Sequence, residues 1–182
     1  MSLHMMVDLE TLDNVPSSKI LSIGAVIFDA NGSFLKTFYK DVDLTGQENR
    51  TISDSTFRWW LRQSDEARGA LSAEVAQGRV KLGSALSSLT ALIGGDSERI
   101  KVWGNGASFD NAILAHAYRE AGAGLPWRFW NDRCFRTIKS TYRETPEPAR
   151  QGTHHNALDD AKHQAHHLIA IHRARIHAGG IL

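Results

Sequence analysis

Short apolar runs in the first third of the chain predict β-strands. These runs are rich in β-branched residues, and polar turn residues separate them. The expected strands cover residues 4–9, 20–28 and 34–39. Asn31-Gly32, between the second and third runs, is typical of a type I′ hairpin turn. The chain is therefore expected to open as a three-stranded antiparallel unit with the first strand in a central position.

The remainder of the chain follows mostly helical periodicity, and no internal repeat or long linker divides it. The expected helices cover residues 53–63, Leu82–Ile93, a segment from Ser108 and a long segment after His155, and one further strand covers Ile100–Gly104. This order predicts a single α/β domain over residues 1–182, with a mixed central β-sheet flanked by helices. Residues 1–4 are expected to lie outside its fold, as a tag remnant or a disordered end.

The first expected helix carries four large apolar side chains. Phe57 and Leu61 are expected to fill the core. Trp59 and Trp60 are adjacent, so both cannot face the same core, and one of them is expected at a cleft or an interface. The sequence leaves open which tryptophan this is.

Composition narrows the class of protein. The 182 residues are 42% hydrophobic and 23% charged, which is typical of a globular domain. The net charge of +1 gives no sign of bulk attraction to nucleic acid, so any attraction to phosphate is local or carried by bound metal. The single cysteine, Cys134, excludes an internal disulfide and fits a cytoplasmic location. No apolar run approaches the roughly 20 residues of a membrane span, and no secretory signal is evident.

Candidate chemistry begins in the first predicted strand, at Asp8 and Glu10. Two carboxylates two residues apart point to the same side of a strand. They repel each other unless a positive group lies between them, and a divalent cation is the usual one. A solvated acidic strand end is the alternative. Asp110 near the start of a later helix, and Asp160 five residues after His155, add two acids and an imidazole.

Taken in order, these residues resemble the DEDDh (DnaQ-like and RNase T-like) 3′-5′ exonucleases. The resemblance covers nearly the whole chain, and its motifs are Asp8-Leu9-Glu10, Ser108-Phe109-Asp110-Asn111 and His155-Asn156-Ala157-Leu158-Asp159-Asp160. This superfamily includes RNase T, oligoribonuclease and polymerase proofreading subunits. The segment 56–63 and the compact size look most like bacterial and phage exonuclease VIII-like and small exoribonuclease members.

The resemblance implies a ribonuclease H-like fold and hydrolysis of single-stranded RNA or DNA from the 3′ end to nucleoside 5′-monophosphates. It implies two divalent ions, Mg²⁺ or Mn²⁺, held by Asp8, Glu10, Asp110 and Asp160. It makes His155 the general base, a task that the ordinary imidazole pKa of about 6.5 suits at neutral pH. A homodimer is also expected, since RNase T-like members commonly form one.

Two neighbouring pairs of residues need a choice. Helical periodicity places Asp160 towards the buried side of the last helix and Asp159 on its solvated side. Asp159 also fits the third helical position behind an N-cap at Asn156, where an acid is favoured for local reasons. The family spacing selects Asp160 and His155. His154 is then loop surface or a secondary substrate contact.

Substrate contacts rest on the resemblance alone. The expected positions are Thr11, Leu12, Trp60 and Phe109, and relatives wedge an apolar side chain against the terminal base at the position of Leu12. The segment 128–143 interleaves basic and aromatic residues. This pattern suits tracking along a nucleic-acid backbone, and it equally suits a solvated helix face.

Three competing interpretations remain open from the sequence. His163 and His167, spaced i, i+4 with His166 nearby, suggest a rival zinc site, although no third ligand is evident. The same fold could also belong to a polymerase-associated proofreading-like subunit, or to an inactive nucleic-acid-binding module. The preference for RNA or DNA depends on contacts to the 2′-OH, and no residue can be assigned to that contact.

Overall fold

Five strands form one mixed β-sheet in the order β3-β2-β1-β4-β5, in a computed structural model that describes residues 3–71 and 78–177. The strands are β1 Leu3–Thr11, β2 Ile20–Asp29, β3 Phe34–Asp41, β4 Ile100–Gly104 and β5 Asp132–Cys134. β1 pairs antiparallel with β2 and parallel with β4, so it is the central strand, as predicted. The predicted α/β class is confirmed.

Six α-helices lie among the described residues. They are α1 Asp54–Trp60, α2 Asp65–Arg68, α3 Leu82–Ile93, α4 Asp110–Glu120, α5 Phe135–Thr141 and α6 Ala157–His177. The observed bounds of α3 and β4 are those predicted. No helix in this part of the chain combines the length and the apolar character that crossing a bilayer requires.

Side chains along β1 alternate between two cores, one on each face of the sheet. Met5 and Val7 pack with residues of α3 and α4 on one face. Met6 packs with residues of α6 on the other face. Because strand side chains alternate, Asp8 and Glu10 continue the Met6 side and point towards the face that α6 covers. The two-residue spacing therefore brings both acids to one side, as expected.

The hairpin turn between β2 and β3 lies where predicted but is of another type. A type I′ turn requires a positive φ at both central residues. Gly32 has a φ of 85°, whereas Asn31 is not among the described residues with positive φ. The Gly32 amide donates to the Asp29 carbonyl oxygen at 3.0 Å, and the Asp29 amide donates to that of Ser33 at 3.1 Å. The loop is therefore longer, with glycine alone in the left-handed position.

Helix α1 does not bury the side chains expected. Phe57 and Leu61 are 44% and 51% exposed, whereas Trp60 is 1% exposed. The indole N–H of Trp60 donates to the carbonyl oxygen of Thr11 at 2.8 Å. The prediction for Phe57 and Leu61 is wrong because this short helix offers one residue to the core, and a tryptophan with a hydrogen-bond partner occupies that place.

The start of the chain also differs from the prediction. Leu3 and His4 belong to β1 and are buried. The His4 ring stacks on Phe28, with 5.4 Å between ring centroids. Residues 3 and 4 are therefore part of the fold, and residues 1 and 2 lie outside the described part of the chain.

Two glycines let helices approach β1 from opposite faces. Gly24 in β2 lies opposite Asp8, and a Cβ there would overlap the backbone of Ala157 at the start of α6. Gly104 in β4 lies beside Val7, and a Cβ there would stand 2.9 Å from the Cβ of Asp110. The N-termini of α6 and α4 reach the sheet because these two positions lack side chains.

We expect Gly24→Ala to destabilise the fold by about 1–3 kcal/mol, the usual cost of overpacking. The added methyl group would meet the backbone of Ala157, which cannot move aside as a side chain can. Gly83→Ala in α3 is the matched control, since no atom lies within 4 Å of its added Cβ. The control should be neutral or stabilising by up to about 1 kcal/mol. Urea unfolding measures both variants, and equal free energies of unfolding would contradict the close approach at Gly24.

Candidate active site

A cleft of about 480 Å³ opens near the carboxyl ends of β1 and β4, beyond the last pairing between Val7 and Gly104. Its lining includes four of the five residues predicted to be catalytic or metal-binding, which are Asp8, Glu10, His155 and Asp160. The fifth, Asp110, is 2% exposed and donor groups of the chain surround its carboxylate.

Asp110 begins α4, and its carboxylate lies between the two strands. Oδ1 accepts a hydrogen bond from the Leu9 amide at 3.3 Å, and Oδ2 accepts one from the Gly106 amide at 3.4 Å. The helix start predicted at Ser108 is two residues early, and Phe109 in the N-cap position makes no side-chain cap. Beyond the end of the parallel pairing, Asp110 supplies the acceptor for Leu9 that β4 no longer supplies.

Helix α6 brings the last acid and a positioning amide into the cleft. The Asp160 side chain accepts a hydrogen bond from the His155 amide at 2.9 Å through Oδ2, and Oδ1 lies 2.6 Å from Arg150 Nη2. One turn later, the side-chain amide of Gln164 donates to Asp8 Oδ1 at 2.7 Å. Helix α6 therefore contacts the central strand through polar groups at the cleft floor.

Asp159 faces away from the cleft, as the helical periodicity indicates. Its Oδ2 accepts a hydrogen bond from the Thr153 amide at 2.9 Å. Asn156 Oδ1 accepts from the amides of Leu158 and Asp159 at 3.1 and 3.2 Å, so it is the N-cap of α6. The predicted structural role of Asp159 is confirmed.

His155 stands at the entrance to α6 in a strained conformation. Its φ of 61° is the only positive value among the described non-glycine residues, and such strain costs on the order of 1 kcal/mol or more. Its ring meets Trp59 edge to face, with 4.7 Å between centroids. Donor atoms of Glu10, His155 and Asp160 lie within 4.8 Å of one another. His154 is exposed and lies at the cleft mouth.

Burial makes the acids costly to ionise. It raises the pKa of Asp8 well above its ordinary value, and the negative charge of Asp110 adds to the effect. Burial and repulsion from Asp160 raise the pKa of Glu10 to about 8. Burial raises the pKa of Asp110 to about 7, against the opposing effect of its backbone hydrogen bonds. Burial also lowers the pKa of the His155 imidazole, which favours its neutral form.

The donor set fits a hard divalent cation. Carboxylate oxygens are the ligands that Mg²⁺ and Mn²⁺ prefer, and a cation among them offsets the repulsion that raises these pKa values. Among the described residues, the group of possible metal donors is Glu10, His155 and Asp160. The rival zinc site is not supported, because this donor group includes neither His163 nor His167.

The predicted substrate contacts divide into two groups. Thr11 and Phe109 line the cleft. Leu12 is 3% exposed and packs in the core, so the prediction that it meets a base is wrong: the register of β1 shifts between Glu10 and Thr11 and the chain then leaves the sheet. Trp60 reaches the cleft wall but is 1% exposed and cannot stack on a base, whereas Trp59 is 37% exposed there.

Comparison with known proteins identifies the family. The model of the 3′-5′ exoribonuclease Rv2179c-like domain matches residues 3–172. The chain belongs to this family. The exodeoxyribonuclease of Enterobacteria phage T4 is a more distant relative, 26% identical over 158 residues that cover 72% of this chain and 68% of the phage protein.

Solved structures share the fold of this Rv2179c-like domain at low identity. The nuclease domain of 3′hExo, a DEDDh family member bound to rAMP, has a TM-score of 0.64 and 14% identity, and the match covers 98% of this chain and 93% of that one. S. pombe Pop2p, with Mg²⁺ and Mn²⁺ bound, has a TM-score of 0.61 and 14% identity over 98% of this chain and 86% of that one. Exonuclease I from Methylocaldum szegediense has a TM-score of 0.70 and 11% identity over 97% of this chain, which spans 41% of that longer protein.

These findings confirm the predicted ribonuclease H-like fold and the predicted relationship to 3′-5′ exonucleases. The chain is therefore a 3′-5′ exonuclease by family. The cleft residues that the sequence analysis did not assign to the site include Trp59, Arg150 and Gln164. Gln164 follows Asp160 by four residues, a helical spacing that signals a shared face. Arg150 lies in the loop before α6, where no periodicity points to it.

We expect the metal-free protein to lose stability as the pH rises. A carboxyl group whose pKa is raised by folding stabilises the fold fully below its ordinary pKa, 4.5 for Glu10, and loses that contribution as the pH passes the folded value of about 8. Glu10→Gln removes the titrating group. Its Tm in EDTA should therefore fall less than that of the wild type between pH 5 and pH 8.

At pH 8 the Tm of Glu10→Gln should be higher than that of the wild type, by about 2–4 °C for each kcal/mol of repulsion that the substitution removes. Asp54→Asn, at an exposed site on α1, is the control that removes an acid elsewhere, and it should follow the wild-type slope. A Glu10→Gln slope equal to that of the wild type would show that Glu10 does not cause the loss of stability.

Proposed function

We propose that this domain removes nucleotides from the 3′ end of single-stranded nucleic acid in a divalent-metal-dependent reaction that releases nucleoside 5′-monophosphates. The observation that carries the proposal is the convergence of Asp8, Glu10, Asp160 and His155 in one cleft, with Asp110 buried close enough to raise the pKa of Asp8. Burial raises the pKa of three of these carboxyl groups, so the site favours a bound cation. The metal-bound solved relatives support the same requirement.

Asp8, Glu10, Asp110 and Asp160 are the residues that would hold two divalent ions, Mg²⁺ or Mn²⁺. When bound, such ions activate water for attack and neutralise the leaving oxygen of a phosphodiester. The hydrogen bonds from Leu9 and Gly106 to Asp110, and from Gln164 to Asp8, hold these carboxylates in position before the substrate arrives. Pre-positioning of this kind lowers the entropic cost of forming the reactive arrangement.

The His155 imidazole takes the proton from the attacking water. The water oxygen forms a bond to phosphorus, and the bond from phosphorus to the 3′-oxygen of the preceding nucleotide breaks. The 3′-oxygen stays on the shortened strand, and the phosphate stays on the 5′-oxygen of the released nucleotide. Because burial lowers the pKa of His155, its ring is neutral and able to accept this proton at neutral pH. Trp59 packs edge to face against the His155 imidazole, and its exposed ring surface stacks on the terminal base.

The proposal covers both RNA and DNA as substrates. The matching family is described as exoribonucleases, whereas the phage relative is named an exodeoxyribonuclease. Nucleic acid is the class of substrate common to both descriptions. The expected homodimer and cytoplasmic location stay predictions from the sequence.

We expect matched 5′-labelled single-stranded RNA and DNA to be shortened stepwise from the 3′ end with Mg²⁺ or Mn²⁺, and to stay intact in EDTA. Denaturing gels of the time course give the direction of digestion and the relative rates on the two sugars. Asp110→Asn should abolish the ladder, which excludes a contaminating nuclease. An intact strand under every metal condition would instead favour the inactive binding module or the polymerase-associated subunit.

We expect His155→Ala to reduce kcat by roughly 10²–10⁴, the usual contribution of a general base, while metal binding is largely kept. His154→Ala, on the adjacent exposed histidine, should have a smaller effect. Single-turnover rates and calorimetric titration with Mn²⁺ separate the two properties. Loss of metal affinity in His155→Ala would instead make His155 a ligand, which its closeness to Glu10 and Asp160 also allows.

A further inference from the structure

Among the described residues, Arg150 is the basic residue whose side chain pairs directly with a predicted metal ligand. Its Nη2 lies 2.6 Å from Asp160 Oδ1, and the side chains of Arg150 and Asp160 are 22% and 11% exposed. Of the other basic residues along the cleft, Lys139 pairs with Glu147, an acid outside the predicted metal set. Arg150 therefore supplies the positive charge that contacts Asp160 directly in the metal-free protein.

Only one of the two terminal nitrogens of the Arg150 guanidinium takes part in the ion pair. Nη1 of Arg150 is buried and has no hydrogen-bond partner among the described groups. A guanidinium fits two oxygens of one carboxylate or phosphate side by side, and such paired bonds are the strongest it makes. Asp160 does not complete this arrangement, because its Oδ2 accepts the His155 amide and only its Oδ1 contacts Arg150. The contact is thus one that Arg150 can leave for a better acceptor.

The loop that carries Arg150 is fixed on either side of it. Glu147 is held by Lys139 and His163, both at 2.7 Å. Thr153 is held by Asp159 through its amide. Between these two points, none of the described hydrogen bonds between backbone groups involves residues 148–152. Arg150 is therefore anchored at the cleft wall, and its side chain can change partner without unfolding the loop.

We propose that Arg150 changes partner during the reaction, from Asp160 in the metal-free protein to a phosphate of the bound strand in the substrate complex. This inference rests on the proposed function. A cation held by Asp160 would repel the guanidinium and compete with it for the same carboxylate, so metal binding favours its departure. Released, it keeps its charge and both terminal nitrogens at the wall of a cleft that receives phosphate. Arg150 is thus both the counter-ion of Asp160 in the metal-free protein and a substrate-binding residue.

Arg150→Gln tests both halves of the exchange. Calorimetric titration with Mn²⁺ in the absence of nucleic acid should show metal binding about two- to fivefold tighter, because a competing ion pair is removed. KM for a single-stranded oligonucleotide should rise about 10- to 100-fold, the usual effect of losing a charged hydrogen bond, with a much smaller change in kcat. Arg150→Lys keeps the charge but not the fork, so its metal affinity should be near wild type and its KM intermediate.

Arg143→Gln is the matched control, since it removes the same charge from an exposed position that does not line the cleft. Metal affinity unchanged or weakened in Arg150→Gln would overturn the exchange at Asp160, and an unchanged KM would overturn the contact with phosphate. The titration contains no nucleic acid, so its result stands even if the domain degrades neither RNA nor DNA. Failure of the proposed function and failure of this inference are therefore distinguishable.

Discussion

The burial of several carboxylates close to one another is the constraint on which the rest of this structure depends. Asp8, Glu10 and Asp110 all have raised pKa values, and burial is the largest cause in each case. Such a site persists only where the surrounding fold supplies donors, or a cation supplies charge. Two backbone amides serve Asp110, a glutamine amide serves Asp8, and an amide and a guanidinium serve Asp160. The acids are held ready for metal at a cost in stability.

The architecture lowers that cost by its choice of supporting elements. Asp110 and Asp160 each lie in the first turn of a helix, where unpaired amides and the helix dipole favour negative charge. Gly104 and Gly24 let those two helix ends approach the central strand from opposite faces. The acids of β1 are then met from both sides by the positive ends of helices. One strand, two helix starts and two glycines account for the position of the site.

The acids and the fold were predictable from the sequence because they follow local rules. Strand alternation placed Asp8 and Glu10 on one face, and helical periodicity separated Asp160 from Asp159. The errors arose where tertiary contacts decide between neighbours. The hydrogen bond to Thr11 buries Trp60 rather than Phe57, and a register shift at the end of β1 sends Leu12 into the core. Arg150 lies in a loop whose position depends on contacts with two other elements, so no local pattern identifies it.

The bond from Gln164 to Asp8 joins residues 156 positions apart, which bears on when the site forms during protein synthesis. Chains emerge from the ribosome N-terminus first, at about 5–20 residues per second. The β1 acids emerge early, whereas α6 is the last described helix and carries Asp160. A nascent chain therefore lacks the complete set of site acids until α6 has been translated.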